Sequence, residues 1–185
     1  MDTTHKKDYC TEIHNQIIGW TGNCDTKASI VLAFIGVLVS ITFTSEYLLG
    51  TIEKQIRNII IYWRDNCGYF SISSTLMLVS LIGFTLFMSL CCYYAISSLR
   101  ANIICPDDSI IFFGKIANLS KEEYIDKVRG VTDEEIEYDK LSQIHTCAKI
   151  CNDKFVFYNQ SIKYLCIGLL LFVCFVLFSI ILKAS

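Results

Sequence analysis

Three residues in the second half of the chain have the side chains of metal ligands: His145, Cys147 and Cys151. A zinc site needs four such donors, and they usually come as two pairs. Here the two cysteines stand four apart with one histidine and no second pair, while His5 and His14 are isolated. The spacing reads as small residues along a helix seam, and no metal is expected. No Walker loop, GxSxG or HExxH occurs, so neither an enzyme nor a cofactor is expected. Asp25 and Lys27 are left, at the mouth of a long uncharged stretch. Two residues apart on a helix, they do not face each other. They read as gating or interhelical contacts.

The elements that must position these residues are membrane helices. The chain has 185 residues, 53% hydrophobic and with one proline, a composition wrong for a soluble domain of this length. Residues 28–45 carry no charge. On a helix they would reach roughly 27 Å, enough to cross the hydrocarbon of a bilayer. Residues 71–99, closed by Arg100, and 164–182, closed by Lys183, qualify as two further spans. None holds a charge at its centre, which argues against a proton-coupled transporter. Residues 1–27 hold three Lys and residues 100–163 nine Lys or Arg, against three in 46–70 and Lys183 after the third span. That bias predicts a cytoplasmic N-terminus and a C-terminus outside. Most cysteines then fall on the reducing side or in lipid, and Cys67 reads as an unpaired external thiol. The long leader with Asp2, Asp8 and Glu12 does not read as a cleaved signal peptide. Near-zero net charge gives no electrostatic case for nucleic acid.

The predicted fold class is an all-α membrane protein, with spans one and three extended into a cytosolic helical stalk. Residues 1–27 read as an N-terminal helix with Tyr9, Ile13, Ile17, Trp20 and Cys24 on one face, weakened by Gly19 and Gly22. Residues 46–70 read as an external amphipathic connection, its face made by Ile52, Ile56, Ile59, Ile60 and Trp63. It can lie in the bilayer interface or pack on the spans. In the cytosolic region 100–163, the span-two helix should end before Pro106. The apolar run 109–115 reads as a buried connector. Ser120–Glu123 and Thr132–Glu135 are capping boxes, and Gly130 reads as a helix stop. Leu141, Ile144, Ala148, Cys151, Phe155, Tyr158, Ile162 and Leu165 then form a heptad seam running into span three. Ser29, Ala33, Gly36 and Ser40, with Ser80 and Gly83, are small positions suited to close helix approach, within one chain or between copies.

The chain resembles the small transmembrane effectors of the bacterial pyrimidine-cyclase antiphage systems (Pycsar). The resemblance rests on Trp20 and the Asp25-Thr-Lys-Ala-Ser29 element entering span one, on IFFGKIANLSKEEY at 111–124, and on the helix from Gln143 through Lys154. Cys24 stands where members often have alanine. What the resemblance implies is a homo-oligomeric effector of the inner membrane, gated by cyclic CMP or cyclic UMP from a partner cyclase, that impairs the membrane and aborts infection. The ligand's phosphate would need a cation and its base a flat ring. The candidates are Lys27, Arg100, Lys115 and Lys154 as cations, and Trp20, Phe112, Phe113 and Tyr124 as rings. Each has a plainer role, such as snorkelling for Lys27, Arg100 and Lys154, interfacial anchoring for Trp20, and burial for the phenylalanines. A non-toxic anchor whose stalk docks a soluble partner is the alternative reading.

Overall fold

The computed structural model describes residues 3–65, 72–100 and 109–184. The expectations for Cys67, Cys105 and Pro106, and for the side chain of Trp63, lie outside what it describes. Among the described residues the regular elements are all helices: α1 (Thr3–Thr44), α2 (Glu46–Asp65), α3 (Ile72–Leu99), α4 (Phe113–Ile116), α5 (Lys121–Gly130) and α6 (Asp133–Ala184). Helices α1, α3 and α6 are each long and apolar enough to cross a membrane. The chain divides into two compact units, one of Met1–Thr26 with Ser98–Val156, the other of Lys27–Ser97 with Phe157–Ser185.

The second unit holds the spans. Its core gathers Val31 and Ile35 of α1 with Phe84, Met88, Cys91 and Ala95 of α3, and partly buried Tyr158, Ile162, Leu165 and Phe172 of α6 pack against it. A second cluster joins Leu48 of α2, Met77 of α3 and Phe175 of α6. On α3 the line Phe84, Met88, Cys91, Ala95 advances in steps of four, three and four, the spacing of one helix face. Two glycines allow α3 and α6 to approach closely. A Cβ on Gly168 would come within 2.6 Å of Met88 Cε, and one on Gly83 within 2.9 Å of Leu171 Cδ1. The Cys91 thiol donates to the Ser161 carbonyl at 3.0 Å, and Tyr94 stacks on Tyr164 with ring centroids 5.3 Å apart.

The packed face of α1 differs from its row of small residues. Cys24, Ala28, Val31, Ile35 and Thr42 are buried, whereas Ser29, Ala33, Gly36 and Ser40 are exposed. Ser80 is buried on α3. The seam of α6 is likewise offset from the expected one. Its buried positions include Cys151, Lys154, Ser161, Gly168, Phe175 and Ser179, while Leu141 is exposed. Along that line the Ser161 hydroxyl donates back to the Tyr158 carbonyl at 2.7 Å, and Gly168 leaves room for Met88.

In the first unit, α1 runs without a break through Gly19 and Gly22. Of the expected apolar face, Ile17 and Cys24 are buried, but Tyr9 and Trp20 are exposed. Helix α3 ends at Leu99, and residues 101–104 lie outside the described residues. Both capping boxes form. The Ser120 backbone N–H donates to Glu123 at 2.8 Å and the Thr132 backbone N–H to Glu135 at 2.9 Å, with reciprocal bonds from the amides of Glu123 and Glu135. Gly130 is the last residue of α5, and Val131 caps it in extended backbone. The run 109–115 is buried only at Ser109, and Phe113 is 66% exposed, against the expected burial. It lies against α6 through its backbone instead.

Candidate functional site

In the first unit α1 and α6 meet at a charge. Lys154 Nζ donates to Asp25 Oδ1 at 2.5 Å, with the lysine side chain 7% exposed and the aspartate 39%. Helix α3 joins at the same place. The Ser98 hydroxyl donates to the Lys154 carbonyl at 3.0 Å, and Cys24 Sγ lies 3.6 Å from Ser98 Oγ. Because the serine hydrogen is committed to the carbonyl, the cysteine thiol is the donor in the second contact. A buried lysine is tolerable only when paired and hydrogen-bonded. This node therefore fixes the register of three helices, and removing either charge would release it.

Two clefts are lined by described residues of the same unit. The wider, about 880 Å³, is lined by Lys127 of α5, by Thr132, Glu134, Glu135, Tyr138, Asp139 and Ser142 around the start of α6, and by Ser109 and Ile110. Two of its three acids are already committed. Buried Asp139 accepts the amides of Ile110 at 2.7 Å and Ile111 at 3.1 Å through one oxygen, and Glu135 closes its capping box. The Thr132 amide and then its hydroxyl hold the Glu135 carboxyl below its ordinary value, as the Ser120 amide and hydroxyl do for Glu123. Lys127 has no hydrogen bond or ion pair to any described residue. Tyr138 is 77% exposed. The smaller cleft, about 180 Å³, is lined by Lys7, Cys10, Asp133, Ile136, Glu137, Lys140 and Leu141. At its edge Lys140 Nζ donates to Thr11 Oγ1 at 2.7 Å.

Of the residues singled out in the sequence, the structure brings together Asp25 with Lys154, and Phe112 with Phe113, whose ring centroids lie 4.8 Å apart. Lys115 and Tyr124 are half-buried, and Trp20 and Arg100 exposed. None of these lines either cleft among the described residues. Lys27 belongs to the second unit and is exposed. Ser98, Asp139, Lys127 and Tyr138 were not foreseen. For Ser98 there was a signal, since it continues the line Cys91, Ala95 by three residues. For Asp139 the signal was an acid nearly two turns into a helix whose first-turn acids were already accounted for.

Among the described residues no three His, Cys, Asp or Glu side chains gather as a metal site. Burial pushes the Cys147 thiol up, away from the thiolate that metal binding needs. The eight cysteines described are all free thiols.

Residues 9–181 match the family model of the Pycsar effector protein domain. Over 179 residues the chain is 28% identical to the Pycsar effector protein GmPycTM of Gulbenkiania mobilis, covering 90% of this chain and 89% of that protein. No solved structure matches. A match running from the N-terminal helix to the end of the third span takes in both units, and the chain belongs to the Pycsar effector protein family.

Proposed function

We propose that this protein is an effector of antiphage defence, activated when its first unit binds a cyclic pyrimidine nucleotide, cyclic CMP or cyclic UMP, made by a partner cyclase. The bound ligand makes the three spans compromise the bacterial inner membrane, and the infected cell dies before phage mature. The observation that carries this reading is the family match across residues 9–181, which supports the effector role for the whole chain and not for a fragment of it. The protein acts as an oligomer, without catalysis, with its N-terminus in the cytoplasm.

Within the first unit the wider cleft is the ligand seat that best suits the chemistry. A cyclic nucleotide offers one anionic phosphate and a flat base, and the cleft sets the ammonium of Lys127, which has no partner among the described residues, in the same lining as an exposed ring, Tyr138. Backbone amides blunt the charge of two of its acids. Trp20, Lys27, Arg100, Phe112, Phe113, Lys115 and Tyr124 remain candidates for ligand contact. Asp25 and Lys154 serve as the gate, each being the other's partner.

Dye release from vesicles reconstituted with the purified chain tests the reading. Leakage should rise on adding cyclic CMP or cyclic UMP and stay at the control level with linear nucleotides. Absence of leakage with every cyclic nucleotide would remove it in favour of a passive anchor, which would also be harmless when co-expressed with an active cyclase.

A further inference from the structure

Helix α2 uses one apolar face and leaves a second uncovered. The face made by Leu48, Ile52 and Gln55 turns inward. Leu48 is buried among Met77 and Phe175, Ile52 packs on the same cluster, and the Ser74 hydroxyl donates to Gln55 Oε1 at 2.7 Å. Tyr47 adds a bond from its hydroxyl to the Ser179 carbonyl at 3.2 Å. The face expected from the sequence is thus split, and Ile56 and Ile60 lie outside the packed part. With Leu49 they form a second stripe, at spacings of seven and four, exposed by 41%, 44% and 55%. A shallow groove of about 710 Å³ runs along it, lined also by Arg57, Ile61 and Arg64.

The depth of this stripe follows from its neighbours. Met77 is five residues inside the start of α3, or roughly 7.5 Å, and Phe175 nine residues, or roughly 13.5 Å, before the end of α6. Leu49, next to Leu48, therefore starts at acyl-chain level, where α3 also exposes Leu76 and Val79. Seven residues on, Gln55 meets Ser74 close to the first residue of α3. The remaining ten residues of α2 carry Ile56 and Ile60 out through the boundary of the spans, with Arg57 and Arg64 beside them. Among the described residues Arg57 is held by Glu53 at 2.8 Å, with both side chains more than two-thirds exposed. Such a pair is weak and exchanges easily for another anion.

We propose that α2 is seated in phospholipid. Leu49, Ile56 and Ile60 lie against acyl chains of the leaflet on their side, and Arg57 and Arg64 bind headgroup phosphates. The surface continues the lipid-facing spans from hydrocarbon to headgroup, and that continuity selects lipid over a second copy of the chain. It stands independently of the ligand and of the defence role.

The test uses the full chain with Trp20→Phe and Trp63→Phe and a single new tryptophan, Ile56→Trp, Ile60→Trp or, as a control in the first unit, Tyr138→Trp. Trp20, Ile56, Ile60 and Tyr138 are exposed, so the substitutions there leave the packing intact. In dilute vesicles of phosphatidylglycerol and phosphatidylcholine with brominated acyl chains, the tryptophans at 56 and 60 should lose emission and the one at 138 should not. Equal emission at all three positions would overturn the proposal. So would changes at 56 and 60 that follow the protein-to-lipid ratio and ignore bromination, the signature of a second copy. Adding Arg57→Glu and Arg64→Glu should reduce the quenching at 60, and unchanged quenching would overturn the phosphate contacts.

Discussion

Asp25 and Lys154 share one hydrogen bond but not one environment, and their difference in exposure sets what each substitution does. Asp25→Asn leaves an ammonium that is almost wholly buried with no carboxylate beside it. Lys154→Met leaves a carboxylate that water still reaches. Breaking a fully buried pair costs about 3–5 kcal/mol, and partial exposure of Asp25 lowers that to about 1–3 kcal/mol here. Asp25→Asn should therefore lower the thermal midpoint of the detergent-solubilised chain more than Lys154→Met. The double variant should recover most of the loss, because no orphaned charge remains. Two other carboxylates answer to pH. Glu123 and Glu135 titrate below the ordinary 4.5 because they hold helix-capping bonds. A depressed folded value means the stabilisation is present above pH 4.5 and is lost as pH falls through the folded values. Circular dichroism should show helix lost on acidification below that point, and Glu135→Gln, which keeps a weaker acceptor, should flatten the response.

At the scale of the element, the close approach of α3 to α6 depends on Gly168. A side chain there meets Met88 Cε first, and that flexible end can retreat before a methyl but not before a branched group. Gly168→Ala should be tolerated, and Gly168→Ile should cost about 1–3 kcal/mol in thermal unfolding, as overpacking does. Gly36 is the comparison, exposed and with nothing within 4 Å of a Cβ. Gly36→Leu should leave stability unchanged, and a large loss there would show that this face carries contacts with another copy. The contrast explains which parts of the fold were legible in the sequence. The capping boxes were, because Ser120 with Glu123 and Thr132 with Glu135 signal through neighbours three residues away. The three spans were, because length and missing charge suffice. The inward face of α1 within its span was not, since a helix apolar all round gives no moment to read, and small Ser29 and Gly36 drew attention from Ala28, Val31 and Ile35. The seam of α6 was offset for a related reason. Lys154 is charged, and only a partner distant in sequence, Asp25, makes its burial sensible, while the Ser161 hydroxyl is satisfied within the helix by the Tyr158 carbonyl. The cleft was illegible for the same cause, being assembled from α5, the start of α6 and the segment at Ser109.

For the whole molecule, a ligand can change the spans only by binding one state of the chain better than the other. Moving a population from 1:99 to 99:1 takes about 5.5 kcal/mol of such preference. Binding and response should then be separable. Helix α6 runs without interruption from Asp133 to Ala184, and the first unit's share of it ends at Val156. A proline in place of Val156 removes one helix hydrogen bond and clashes with the preceding turn, at a cost of about 3 kcal/mol. Val156→Pro should keep nucleotide binding, measured by calorimetry on the purified chain, and lose ligand-dependent leakage from vesicles. Lys127→Ala should do the reverse, shifting leakage to higher nucleotide concentration with the same maximum. If Val156→Pro leaks as the parent does, the response does not travel through α6. If Lys127→Ala leaves the concentration dependence unmoved, the wider cleft is not the seat, and Trp20, Lys115 and Tyr124 become the positions to substitute next.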